Sequence, residues 1–173
     1  MEEQSFESEE FTALVQGMMP MAEKMLDEMG AFLPYAGVLY KDGEIRHLTI
    51  DPDTRDKHDV TEIVAALENS ISQLADKEKS QFSATAVCMD IKMVPSQSGI
   101  DEIKHSARAE NEDNTSAPEE DEEVDCIMFR FENTDGEALD AFRPYAIDQS
   151  GHVRFSRMFA TRTETKILNE NQK

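Results

Sequence analysis

Two Asp-Gly dipeptides, Asp42-Gly43 and Asp135-Gly136, each stand between runs rich in apolar and β-branched residues, and they restrict the fold more than any other feature. A two-residue turn that reverses a strand tightly needs positive φ, which Asp-Gly supplies at little cost. The first dipeptide joins residues 35–40 to 44–50. The second follows a run in which Ile127, Phe129 and Phe131 alternate with Met128, Arg130 and Glu132, and it leads into residues 139–147. Two further strand-like runs are predicted. Over residues 82–94, Val87, Met89, Ile91 and Met93 alternate with Ala86, Cys88, Asp90 and Lys92 up to Pro95, and over 152–165 Val153, Phe155 and Phe159 point inward. Residues 167–173 are expected to form a frayed tail.

Two segments carry helical spacing instead. From residue 8 to 29, Phe11, Leu14, Val15, Met18, Ala22, Met25, Leu26 and Met29 recur at intervals of three and four. Gly17 and Pro20 interrupt this stripe, and proline clashes with the preceding turn, so a kink or break is expected, with Pro20 opening a second short helix and Gly30 closing it. The second stripe, Val60, Ile63, Val64, Leu67, Ile71 and Leu74, is one-sided and should lie on a sheet, presenting Glu68, Asn69, Gln73 and Asp76 to water. Asp59 and Glu62 stand at the two reciprocal positions of a capping box.

The order is therefore α-β-β-α-β-β-β-β, an α+β class with a mostly antiparallel sheet of about six strands and at least one helix on a face. One domain is expected over residues 1–173. Within it, residues 96–125 hold eleven acids against Lys104 and Arg108 and almost no large apolar side chain. Such a stretch cannot bury enough surface to offset its ordering entropy, and it reads as a disordered acidic insertion between two paired strands.

Charge narrows the partners. The chain carries 37 acidic and 17 basic residues, a formal net charge of −20. Nucleic acid and anionic lipid both require clustered Lys and Arg, so no nucleic-acid and no membrane partner is expected, and a charged partner should be basic. Residues 1–10 lack the basic and apolar regions of a secretory signal, and the longest apolar run, residues 31–40, falls short of the roughly 20 needed to span a bilayer. A cytoplasmic location is expected. Cys88 and Cys126 lie in apolar runs and read as buried free thiols.

A short echo links Ala31-Phe32-Leu33-Pro34-Tyr35-Ala36 to Ala141-Phe142-Arg143-Pro144-Tyr145-Ala146, which a proline at a strand edge beside a packed aromatic accounts for. The hairpin residues 32–46 (Phe32-Leu33-Pro34-Tyr35-Ala36-Gly37-Val38-Leu39-Tyr40-Lys41-Asp42-Gly43-Glu44-Ile45-Arg46), together with residues 125–133 and Phe142-Arg143-Pro144-Tyr145, resemble a group of small uncharacterised bacterial α+β proteins, some of them similar to immunity proteins of toxin systems. The resemblance implies a bacterial source and a similar fold, and it carries over no active site. The acidic insertion and the Met-rich first helix fall outside it.

Catalytic signatures are missing. There is no Gly-x-Ser-x-Gly elbow and no phosphate-cradling glycine loop, no cofactor is implied, and no catalytic residue is assigned. The nearest approach to a metal set is residues 51–62, where Asp51, Asp53 and Glu62 occupy the first, third and twelfth places of a calcium loop and His58 stands four before Glu62. Arg55 occupies the fifth place and Asp56 replaces the turn glycine, so capping and solvation explain these residues more economically and no metal site is assigned. Two features suit a protein partner instead. Met18, Met25 and Met29 form a flexible apolar stripe, fit for core, a homodimer seam or an adaptable binding surface. Glu119, Glu120, Asp121, Glu122 and Glu123 form a polyanion able to steer a basic partner. The expected function is a non-enzymatic interaction domain, an immunity factor, adaptor or chaperone-like protein. The alternatives are an enzyme using the 51–62 loop and an acidic mimic of nucleic acid.

Overall fold

Gly43 and Gly136 take φ of +88° and +87° at the two Asp-Gly turns, and each closes a hairpin. The computed structural model describes residues 8–51, 59–95, 101 and 122–168. In chain order these form α1 (Glu9–Met29), β1 (Tyr35–Tyr40), β2 (Ile45–Leu48), α2 (Val60–Lys77), β3 (Phe82–Met93), β4 (Val124–Asn133), β5 (Ala138–Ile147), β6 (Val153–Phe155) and β7 (Phe159–Arg162). The strands make one seven-stranded antiparallel sheet in the order β2-β1-β3-β4-β5-β6, with β7 also on β5. The fold is α+β, as the alternation predicts.

Each face of the sheet builds its own core. Ala84, Ala86, Cys88, Ile127, Phe129 and Phe131 pack under α1, while Val38, Val87, Met89 and Met128 pack under α2. The central strands are thus covered on both sides, and β1 is buried along its whole length. Small residues at the α1 face let that helix approach closely: a Cβ on Gly37 would lie 2.6 Å from Met18 Sδ and 3.3 Å from Leu14 Cδ2.

Helix α1 runs unbroken through Pro20, where a break was expected. Proline in a helix interior costs about 3 kcal/mol, but Phe11, Leu14, Met18, Met19 and Leu26 are all buried on the sheet, and full burial of such side chains contributes about 1.5–3 kcal/mol each. Splitting the helix would sacrifice that register. Pro20 and Gln16, whose carbonyl loses its usual N–H partner, both face solvent. The Tyr35 hydroxyl donates to the Met18 carbonyl at 2.6 Å, which ties this part of the helix to β1. Ser8 caps the start and Gly30, at φ +74°, ends the helix by donating to the Leu26 carbonyl. Helix α2 begins with the complete Asp59–Glu62 capping box. Its Glu68 is half-buried, where exposure was expected, because it pairs with Arg130 of β4 at 3.3 Å.

The last predicted strand divides into β6 and β7. Both pair with β5, but the register shifts by one residue between Tyr145↔Phe155 and Phe142↔Phe159, which leaves a bulge opposite Arg143 and Pro144. Pro144 has no N–H to offer the ladder, while its carbonyl accepts from Ser156 N–H at 2.8 Å.

Two boundaries move. Val124 and Asp125 belong to β4 and not to the acidic insertion, since they pair with Met93 and Lys92. Most of the insertion, together with Glu119, Glu120 and Asp121, lies outside the described residues, as do Asp53 and His58. Ile167 and Leu168 are buried in the α2-side core, where a frayed tail was expected. The reason is a carboxylate. Glu132 of β4, 1% exposed, accepts from the main-chain N–H groups of Lys166, Ile167 and Leu168 at 2.6–3.1 Å. Burying the two aliphatic side chains contributes about 1.5–3 kcal/mol each, and ordering the backbone behind them costs about 1–2 kcal/mol per residue. Over residues 164–168 burial alone does not outweigh that cost.

Close packing at Gly37 makes a direct test. Gly37→Val should destabilise the protein by about 1–3 kcal/mol through overpacking against Met18 and Leu14. Gly17→Ala should cost nothing measurable, since the Cβ meets only the tip of the half-buried Ile45 side chain and alanine is the better helix former by about 1 kcal/mol. Urea midpoints of the two variants check this, and equal losses would contradict the packing described.

Candidate functional site

One end of the sheet gathers most of the exposed large apolar side chains. Strand β3 outruns β1, whose first residue Tyr35 pairs with Cys88, so residues 89–93 of β3 project together with the start of β4. The end of β5 and the start of β6 lie beside them through Asp125↔Tyr145 and Ile147↔Val153. Helix α1 terminates on this same end, where a Cβ on Gly30 would lie 3.8 Å from Ile147 Cδ1. Met29 is 66% exposed, Val94 51%, Ile147 40% and Leu33 38%. Isolated exposed apolar residues are ordinary, but several brought to one end of a domain are not.

The predicted methionine stripe therefore divides. Met18 is fully buried in the α1-side core, Met25 is half-buried against it, and Met29 alone stands clear. Arg143 holds the lower half of the helix in place: its Nη1 is 2.6 Å from Glu23 Oε1 and its guanidinium sits 4.5 Å over the Phe155 ring.

Beneath the loop 30–34 lies Asp90. Its carboxylate accepts from the Tyr145 hydroxyl at 2.7 Å and from the Phe32 N–H at 3.4 Å. Burial pushes this carboxyl up from its ordinary value, against the pull of those two donors. The pair fixes the loop that carries Leu33. Tyr35 and Tyr145, the matching tyrosines of the sequence echo, are both buried, but the two copies occupy different structures. Residues 31–34 precede a strand, whereas 141–146 lie inside one.

Charge at this end is mostly negative. Asp27 and Glu28 occupy the last turn of α1, which has no basic residue to offset the negative end of the helix dipole. Asp125 and the exposed Glu122 and Glu123 stand at the start of β4, and Lys24 pairs with Glu28 at 3.8 Å. The sequence placed Met29 on the same apolar stripe as Met18 and Met25 without separating surface from core, and only the structure shows it exposed. The part played by Leu33, Val94 and Ile147 was not readable in the sequence either, because only strand register brings them together.

Other candidate chemistry is accounted for structurally. Cys88 and Cys126 are free and buried, and burial raises both thiols, Cys126 to about 12. Glu62 Oε2 accepts from the Asp59 N–H in the capping box, and Asp51 is exposed at the end of the first hairpin. Among the described residues no group of three or more His, Cys, Asp or Glu could hold a metal ion, and no helix is long and apolar enough to cross a membrane. Comparisons with protein-family models, with curated proteins and with solved structures find no match to this chain.

Two measurements test this geometry. The folded state binds the Asp90 proton more tightly than the unfolded chain does, so ionised Asp90 opposes folding above its raised value, and that cost disappears as pH falls towards the ordinary 3.8. The stability of the wild type relative to Asp90→Asn should therefore rise on acidification across that window. A flat difference in urea denaturation would contradict the assignment. Both cysteines should resist a thiol reagent at neutral pH until denaturant is added; rapid labelling of either in the native protein would show that it is accessible.

Proposed function

We propose that the protein is a non-enzymatic, cytoplasmic interaction domain that binds a basic protein partner through the end of the sheet carrying Met29, Leu33, Val94 and Ile147. The observation that supports the reading is the coincidence of these exposed apolar side chains with acids at the end of α1, whose last turn holds no basic residue. Asp27 and Glu28 at the C-terminal end of α1 each oppose the helix dipole by about 0.3–1 kcal/mol, a cost that a partner's Lys or Arg would relieve. Met29 supplies a flexible, polarizable anchor that adapts to different apolar surfaces. The acids steer the approach of a basic surface, and the apolar side chains slow its departure.

The partner is sought by crosslinking to the full chain in lysate of the source cells at about 50 mM and about 300 mM salt, a range over which screening tightens markedly. A genuine partner is recovered by wild type, diminishes at the higher salt, and is lost with both Met29→Asp/Ile147→Asp and Asp27→Lys/Glu28→Lys. These positions are exposed or half-exposed, so the thermal midpoints of the variants should stay close to that of wild type. Recovery that is indifferent to both pairs of substitutions would refute this surface.

A further inference from the structure

The bond between Glu132 and the C-terminal segment is a different kind of contact from the rest of the fold. After Thr163 N–H donates to the Ala138 carbonyl, the chain leaves the sheet ladder. Three successive main-chain N–H groups, those of Lys166, Ile167 and Leu168, then converge on one carboxylate, Oε1 taking the first two and Oε2 the last two. Consecutive N–H groups pointing into one concavity form an anion-binding nest, here wrapped around a side chain of the same molecule. Ile167 and Leu168 complete the α2-side core cluster that also contains Met128, with Phe142 packed against it.

We propose that residues 164–168 form a latch that opens as a unit while the sheet stays folded, uncovering an apolar surface at Met128 and Phe142. Three observations carry this. The described segment beyond β7 belongs to no helix or strand, so releasing it breaks no ladder. Both neighbours of β4, β3 and β5, remain paired along its length without it. And burial of Ile167 and Leu168 alone does not outweigh the cost of ordering five residues, so the segment depends on the carboxylate to stay closed. Because Glu132 reads main-chain N–H groups, it does not depend on which side chains the segment carries; Ile167 and Leu168 supply the apolar complement. The open state exposes the Glu132 carboxylate to water, so the buried charge never lacks a partner.

Hydrogen exchange on the full-length protein tests the latch. Local opening predicts that the amides of Lys166, Ile167 and Leu168 exchange at least about a hundredfold faster than those of Phe129 and Phe131 in the centre of β4. Glu132→Gln, which weakens the charge-assisted bonds, should speed the latch amides by a further tenfold or so and leave the β4 amides unchanged. Leu168→Ser, outside every strand and helix, keeps the test available should Glu132→Gln disturb β4. It should likewise accelerate only the latch amides, and it should increase binding of a hydrophobic dye while near-ultraviolet circular dichroism persists. Latch amides that exchange at the β4 rate, or a Leu168→Ser variant that loses tertiary signal as its dye binding rises, would overturn the proposal, because the segment would then open only with the whole domain.

Discussion

Burial of the central strands on both faces is the constraint from which the rest of this structure follows. Strands β1, β3 and β4 lie between two helices, so a polar group within them has little access to water and must find a partner inside the protein. Each does. Thr85 donates its hydroxyl to the Gly37 carbonyl at 2.9 Å, Asn133 organises the second Asp-Gly turn by accepting from Asp135 and Glu137 N–H, and Glu132 gathers the C-terminal segment. Where β3 emerges from this double cover, Asp90 takes Tyr145 and Phe32 as donors. The polar contacts are local consequences of one architectural choice, and several of them tie down chain that would otherwise be loose.

That architecture also explains why one end of the molecule differs from the other. A sheet whose strands are of unequal length cannot be covered evenly by two helices. β3 and β4 extend past β1, and α1 stops beside the end of β5, so apolar side chains that would belong to a core are left at its margin. The acids of the last turn of α1 and of the start of β4 surround that margin. At the opposite end the Asp-Gly turns are short and polar, and Tyr40, Arg46 and Glu78 close the surface with a cation over an aromatic ring and hydrogen bonds.

Much of the fold was legible in the residue order because it depends on short-range chemistry. The Asp-Gly turns, the Gly30 helix stop, the Asp59–Glu62 box and the two-residue alternation of β3 and β4 involve neighbours within a few positions, and all are present as read. Proline shows the limit of such reading. At Pro20 a local penalty was outweighed by five large side chains docking on a distant sheet, while Pro144, which lacks an N–H, lies opposite the interruption between β6 and β7 at residues 156–158. The same residue type accompanies an interruption in one place and not in the other, and the difference lies in what each faces.

The sequence by itself determined the α+β class, the antiparallel pairing of neighbouring strands, the acidic character and the burial of the two thiols, since each rests on composition, period or turn chemistry. Tertiary structure alone decided which methionine is core and which is surface, which carboxylate captures the C-terminal segment, and which apolar residues share an exposed end. Those outcomes rest on contacts between residues 35 to 120 positions apart, such as Glu132 with Ile167 and Glu23 with Arg143. No local preference encodes a partner at that separation; the register of the sheet and the close approach of α1 over Gly37 do.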